Sequence, residues 1–185
     1  MEKLASQLDY EKRIGRTLVS EEQIQQAIKE AGEKISKLYD GRPILLVGIL
    51  KGSFMFMADL CRAINAPCEV AFMCAKSYFS GTESSGTVNI IMDLDIDVSN
   101  YHVVIAEDII DTGRTLKYLY EMLSKRNPLS LTVVTLLDKK ERRVVEFTPD
   151  IVLFDIPDYF VIGYGLDCDE KYRNLRYIAE YNQNV

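Results

Sequence analysis

The run I-L-L-V-G-I-L over Ile44–Leu50 is apolar without a break and too short for a typical helix. A strand of that composition needs cover on both faces, the setting of a parallel sheet with helices on each side. Further strand-like runs lie at Glu69–Cys74, Val88–Met92, Val103–Glu107, Leu131–Leu137 and Ile151–Phe154. Helical patterns fall between them. Over Glu21–Leu38, the residues Ile24, Ala27, Ile28, Ala31, Ile35 and Leu38 recur on one stripe, with Ser20 as cap and Gln23 as its capping-box partner. Asp40-Gly41-Arg42-Pro43 supplies the turn that ends this helix. A second helix is expected from near Ser53 through Phe54, Met57, Ala58 and Leu60 to Ala63, and a third near Thr115–Lys125. Strand, helix, strand in this order predicts an α/β fold with a mostly parallel central sheet.

With 185 residues, 48% of them hydrophobic and 27% charged, the chain reads as one domain whose core needs no disulfide or structural metal. Its formal charge of −6 argues against a broad nucleic-acid footprint. Local phosphate binding stays open, through backbone N–H groups, a few Lys or Arg and a bound cation. The cysteines Cys61, Cys68, Cys74 and Cys168 form no C-x-x-C pair, and His102 is the lone histidine, so they read as reduced, packed thiols. No apolar run approaches the ~20 residues that span a bilayer. Met1–Arg16 lacks a secretory apolar core, and a cytoplasmic protein is expected. Tyr78–Thr87 is small, polar and glycine-bracketed, which predicts a mobile loop.

Ligands of open α/β sheets gather at the carboxyl ends of the strands. Three junctions therefore matter: Leu50-Lys51-Gly52-Ser53, Glu107 through Thr115, and Leu137-Asp138-Lys139-Lys140. In V-V-I-A-E-D-I-I-D-T-G-R-T (Val103–Thr115), four apolar residues lead into Glu107 and Asp108, with Asp111 close behind. Three carboxylates crowded at a buried strand end are costly without a ligand or cation. They can accept hydrogen bonds from vicinal hydroxyls or help to hold a hydrated divalent ion. Thr112-Gly113-Arg114-Thr115 then offers backbone N–H groups and two hydroxyls at a helix N-terminus, a cradle for one phosphate. A P-loop is excluded, because the glycine it requires five positions before Gly113 is Asp108. A dinucleotide fingerprint at Gly163-Tyr164-Gly165 is excluded too, because Cys168 stands where the third glycine belongs.

E-D-I-I-D-T-G-R-T after an apolar strand resembles the phosphoribosyl pyrophosphate signature of type I phosphoribosyltransferases. V-G-I-L-K-G-S (Val47–Ser53), K-S-Y (Lys76–Tyr78), L-L-D-K (Leu136–Lys139), F-V-I-G-Y-G-L-D (Phe160–Asp167) and E-K-Y-R-N-L (Glu170–Leu175) narrow the resemblance to hypoxanthine-guanine phosphoribosyltransferases, especially the short bacterial type. It covers roughly Val19 to Ile178; Asp138 and the Cys168-Asp169 pair depart from the pattern. The resemblance implies a core over about 40–155 and a hood formed by the N-terminal segment and about 156–185. It implies that Asp111, Thr112, Gly113, Arg114 and Thr115 cradle the ribose 5-phosphate, and that Glu107 and Asp108 meet the ribose hydroxyls, directly or through magnesium. Lys51, Gly52 and Arg173 would bind pyrophosphate, with a peptide before Lys51 that is often cis in the family. Lys139, Phe160, Val161 and Asp167 would form the purine pocket, Asp167 lying near a second magnesium. Ser77 and Tyr78 would belong to a lid.

The implied reaction transfers phosphoribose from 5-phosphoribosyl 1-pyrophosphate to hypoxanthine or guanine, with Mg²⁺ as cofactor and Asp111 as the group that takes, or at least hydrogen-bonds, the proton on purine N7. A homodimer or homotetramer is the family expectation, with neither nucleic acid nor membrane as a partner. Two rivals are weaker. A regulatory relative without catalysis needs a DNA-binding surface, which this acidic chain does not show. Orotate-, uracil- and adenine-type transferases lack the L-L-D-K and F-V-I-G-Y-G-L-D segments.

Overall fold

Alternation along the central strands sorts their side chains between two helical layers. The computed structural model describes residues 7–78 and 87–183, and the side chains of residues 7–9, 77, 78 and 87 are not among those described. Residues 79–86 of the expected loop Tyr78–Thr87, and the side chains of Ser77 and Tyr78 expected in a lid, thus lie outside the described part. The elements before the central sheet are α1 (Gln7–Lys12), β1 (Ile14–Val19) and α2 (Glu21–Tyr39). The sheet and its crossovers follow as β2 (Ile44–Leu50), α3 (Phe54–Ala63), β3 (Cys68–Tyr78), β4 (Thr87–Met92), β5 (His102–Ile110), α4 (Arg114–Ser124), β6 (Ser130–Asp138) and β7 (Ile151–Asp155). Two short strands end the chain, β8 (Val161–Ile162) and β9 (Ile178–Tyr181).

Among the described residues, one six-stranded sheet runs β4-β3-β2-β5-β6-β7, parallel except for the edge strand β4. Ile44 and Leu46 of β2, Val104 and Ala106 of β5, and Val134 and Leu136 of β6 face the layer of α2 and α3. Leu45, Val47 and Ile49, with Val103, Ile105 and Val133, face α4 through Leu116, Leu119 and Leu123. Burial on both faces is the physical reason for the unbroken apolar runs.

The α2 capping box forms as expected: the Ser20 hydroxyl accepts from Gln23 N–H, and the Gln23 side chain accepts from Ser20 N–H at 2.9 Å. Asp40 ends the helix in a left-handed conformation. One stripe residue needs correction. Leu38 is 52% exposed, and Tyr39 takes the inward place at the end of the series Ile24, Ile28, Ala31 and Ile35. Its hydroxyl meets the Thr132 hydroxyl at 2.7 Å in the core, a polar anchor that leucine lacks.

A second sheet, β1-β9-β8, joins the N-terminal and C-terminal segments by antiparallel pairing. The four cysteines are free thiols. Burial and the neighbouring Cys61 push the Cys68 thiol up to about 12, so it stays protonated. Among the described residues, no helix is long and apolar enough to cross a membrane.

Candidate active site

Parallel register brings the three junctions to one edge. Gly48 of β2 pairs with Ala106 of β5, and Ile110 of β5 pairs with Asp138 of β6. The turn after β2 therefore lies beside Asp108, and Asp111 leaves its strand beside Lys139. The chain visits β3 on one side of β2 and β5 on the other, so the β2–β5 boundary is the topological switch point, where such sheets take ligands. A cavity of about 270 Å³ opens there, lined by Lys51, Gly52, Glu107, Asp108, Asp111, Thr112, Gly113 and Thr115. The Leu50–Lys51 peptide is cis, as the resemblance implies.

β5 is longer than the sequence suggests and carries Glu107 and Asp108 within it, because Ile109 and Ile110 continue the ladder to Leu137 and Asp138. Burial, then the charge of Asp108, holds Glu107 well above the usual carboxylate range. Burial also pushes Asp108 up to about 6, against the hydrogen bond that its Oδ1 accepts from Ile109 N–H at 2.8 Å. Glu107 Oε2 is covered and has no protein partner. A side chain at Gly52 would displace the Asp108 carboxylate, since a Cβ at that position would lie 1.5 Å from Asp108 Oδ2.

Thr112, Gly113, Arg114 and Thr115 form the turn at the N-terminus of α4, with Gly113 as the cap at φ 81°. Arg143 lies against this turn: a Cβ on Gly113 would approach its Nη1 to 2.9 Å. The Arg143 guanidinium pairs with the buried carboxylate of Asp138, and its Nη1 has no hydrogen-bond partner. Nothing local in the sequence points to this pair, since Arg143 is the last of five consecutive charged residues, Lys139 to Arg143.

Asp111 and Lys139 are linked through two residues that no motif in the sequence singles out. Asp111 Oδ1 accepts from Arg142 Nε at 3.0 Å, and Arg142 Nη1 donates to Asp158 Oδ2 at 3.3 Å. Asp158 Oδ1 in turn lies 3.5 Å from Lys139 Nζ. Lys139 is buried, contrary to what a charge run suggests, and its backbone N–H bonds Ile110 C=O at the strand edge. Phe160 is 45% exposed and tilts against Tyr181 at 5.4 Å between ring centroids, while Val161 is buried in β8. Phe160 lines a separate cavity of about 390 Å³ with Asp158, Glu180 and Tyr181.

The last part of the site presses against the first turn. Gly165, at φ 100°, leaves so little room that a Cβ would sit 2.0 Å from the Gly52 carbonyl oxygen. Arg173 Nη1 donates to Gly165 C=O at 2.7 Å and its Nη2 pairs with Asp167 Oδ1 at 2.9 Å. Glu170 joins both cations, reaching Lys51 Nζ at 2.9 Å and Arg173 Nη2 at 3.0 Å. Hydrogen bonds from Lys51 and then Arg173 hold the Glu170 carboxyl below its ordinary range.

Among the described residues, no group of three or more His, Cys, Asp or Glu side chains is disposed to hold a metal ion. Glu107 and Asp108 are adjacent, and Asp167 is close enough to act on the charge of Asp108.

Residues 17–169 match the family model described as the phosphoribosyl transferase domain. A hypoxanthine-guanine phosphoribosyltransferase of Lactococcus lactis subsp. lactis is 50% identical over 175 residues, 95% of this chain and 95% of that protein. Among solved structures, a hypoxanthine phosphoribosyltransferase from Staphylococcus aureus is 46% identical with a TM-score of 0.90, over 96% of this chain and 97% of that one. The hypoxanthine phosphoribosyltransferase from Trypanosoma cruzi, in complex with the product IMP, is 46% identical with a TM-score of 0.87, over 94% and 97% of the two chains.

Proposed function

The chain belongs to the phosphoribosyl transferase family, and from that premise we propose that it salvages purines by transferring phosphoribose from 5-phosphoribosyl 1-pyrophosphate to hypoxanthine or guanine. IMP or GMP and pyrophosphate are the products. The observation that carries this reading is the meeting, at one switch point, of a phosphate-cradling turn, two enclosed carboxylates and the Asp111–Arg142–Asp158–Lys139 chain.

Asp111, Thr112, Gly113, Arg114 and Thr115 hold the 5-phosphate with backbone N–H groups and hydroxyls at the positive end of α4. Glu107 and Asp108 face the ribose hydroxyls. Lys51, Gly52 and Arg173 take the pyrophosphate, neutralising charge that grows as it leaves. Lys139 donates to the purine 6-oxo group, Phe160 stacks on the base, Val161 supplies backbone contacts and Asp167 lies beside them. Asp111 accepts the N7 proton as N9 attacks the anomeric carbon. Ser77 and Tyr78 belong to a lid that excludes water.

Magnesium fits this donor set. The unpartnered, covered oxygen of Glu107 and the raised protonation of both carboxylates are relieved by a hard cation. A site short of three protein ligands also suits Mg²⁺, which keeps several waters and is held by one or two carboxylates plus substrate oxygens. Glu107, Asp108 and, nearer the pyrophosphate, Asp167 are the residues that would hold it, and its chemistry there is neutralisation of the leaving group.

We place the protein in the cytoplasm as a homodimer or homotetramer, with a single domain of core (about 40–155) and hood (the N-terminal segment and about 156–185). Its partners are these substrates, not nucleic acid or membrane. The test pairs the native protein with Asp111→Asn in an assay with hypoxanthine, phosphoribosyl pyrophosphate and magnesium. Native protein forms IMP, and the variant loses on the order of 10²–10⁴ in kcat while binding phosphoribosyl pyrophosphate almost as before. Normal turnover by the variant removes Asp111 as proton acceptor, and no IMP from the native protein removes the reading itself.

A further inference from the structure

The two cations assigned to pyrophosphate already share an anion. Glu170 uses one oxygen for each: Oε1 lies 2.9 Å from Lys51 Nζ and Oε2 lies 3.0 Å from Arg173 Nη2. Lys51 follows β2, whereas Arg173 lies between β8 and β9, so this one carboxylate ties together two distant segments. The backbone around it is unusual. Asp169, Glu170 and Tyr172 have φ of 51°, 62° and 72°, left-handed conformations that side-chain-bearing residues hold only when their surroundings enforce them. Glu170 N–H donates to Asp167 Oδ2 at 2.9 Å, and Arg173 is fixed by Gly165 C=O and by Asp167 Oδ1. The loop therefore aims Glu170, rather than leaving it to find a partner in solvent.

We infer that Glu170 is an internal counter-ion of the pyrophosphate subsite, occupying Lys51 and Arg173 when the subsite is empty and giving way to pyrophosphate when it binds. This rests on the assignment of Lys51 and Arg173 to pyrophosphate. Two oxygens of a carboxylate spanning two cations imitate two oxygens of a phosphate anion. Every pyrophosphate that binds must first break both contacts, and every one that leaves is replaced by a group already in position. Glu170 thus weakens the hold on pyrophosphate and favours its release, at the end of synthesis, without touching the base or the 5-phosphate. Glu170 is 63% exposed and Lys51 64%, while Arg173 is only 18% exposed, so solvent screening at the carboxylate keeps the effect modest in size.

Isothermal titration of the full-length protein with magnesium pyrophosphate tests this in five proteins: native, Glu170→Gln, Asp169→Asn, Lys51→Gln and Arg173→Gln. Glu170→Gln should bind pyrophosphate roughly 3–10-fold more tightly, the equivalent of two solvent-screened ion pairs no longer to be broken. Its KM for pyrophosphate in the reverse reaction should fall by the same factor, with IMP affinity unchanged. Asp169→Asn removes an exposed charge next door that makes none of these contacts, and should stay within about twofold of native. A gain in affinity is not something damage to the fold produces. Unchanged or weaker binding by Glu170→Gln, while Lys51→Gln and Arg173→Gln both lose affinity, overturns the counter-ion role and leaves the subsite standing. If neither cation variant loses affinity, the subsite assignment falls and the inference with it.

Discussion

In the function proposed, Lys139 would carry the choice of base because of what an ammonium lacks. It has three donors and no acceptor. Hypoxanthine and guanine present a carbonyl oxygen at position 6, whereas adenine presents an amino group, which offers the ammonium no acceptor. In the structure Lys139 is buried, with Asp158 at 3.5 Å as its nearest ionic partner. Replacement by Gln, which carries both donor and acceptor, should lower kcat/KM for the 6-oxopurines by roughly 10–100-fold, the weight of a charged hydrogen bond. Adenine should change little, so the gap between the bases narrows. Steady-state kinetics with hypoxanthine and adenine on Lys139→Gln check this; an undiminished gap would move the 6-oxo contact to another residue. The roles of Lys139 and Asp111 are suggested by motif. Arg142, Asp158, Arg143 and Glu170 are not, because each gains its meaning from a partner that only tertiary register supplies. Arg143, for example, reaches Asp138 and the Gly113 turn from a stretch that reads as solvated charge.

At the scale of elements, the site depends on how the Gly163–Gly165 segment seats against the turn after β2. Gly165 has φ 100°, and its missing side chain makes room for the Gly52 carbonyl. Gly165→Ala should therefore cost stability, on the order of 1–3 kcal/mol, and weaken pyrophosphate binding at the same time. Thermal unfolding and pyrophosphate titration of this variant measure the two effects, and a variant as stable as native would show that the segment can shift freely. The same segment marks the limit of what the sequence reveals. β2, β5 and β6 are legible because burial on both faces demands unbroken apolar runs, and α2 because its cap and stripe are local. β8 and β9 are two and four residues long, and with β1 they depend on antiparallel partners far away in the chain. Nothing local announces such strands. The length of β5 is hidden from the sequence for a related reason: charged Glu107 and Asp108 look like a strand's end, yet the ladder to β6 carries them inside it.

For the whole molecule, the enclosed carboxylate pair makes ligand-free stability depend on pH in an uncommon direction. Glu107 and Asp108 titrate higher in the folded protein than in the unfolded chain, so the folded form gains protons relative to it. Their contribution is most favourable below the unfolded carboxylate range near 4 and is lost as pH rises through about 6, the value for Asp108. From Asp108 alone the loss is about 3 kcal/mol at most. Glu107→Gln should accordingly raise the Tm of the ligand-free protein at pH 8 more than at pH 5, although it removes a residue of the site. Scanning calorimetry of both proteins across that range checks it, and an equal shift at both pH values would mean that the pair is not strained by its own charge. Function and stability are then opposed at this strand edge, as is common where a site must hold charge for a ligand.

Transfer of phosphoribose to 6-oxopurines at this edge is the central property of the molecule. Its most direct test is kcat/KM of the native protein for hypoxanthine, guanine and adenine, measured with saturating phosphoribosyl pyrophosphate and magnesium. A site built on a donor to the 6-oxo group should reject adenine by ~10⁴ relative to the better 6-oxopurine. Efficient conversion of adenine to its nucleotide would contradict the purine pocket assigned to Lys139 and Phe160.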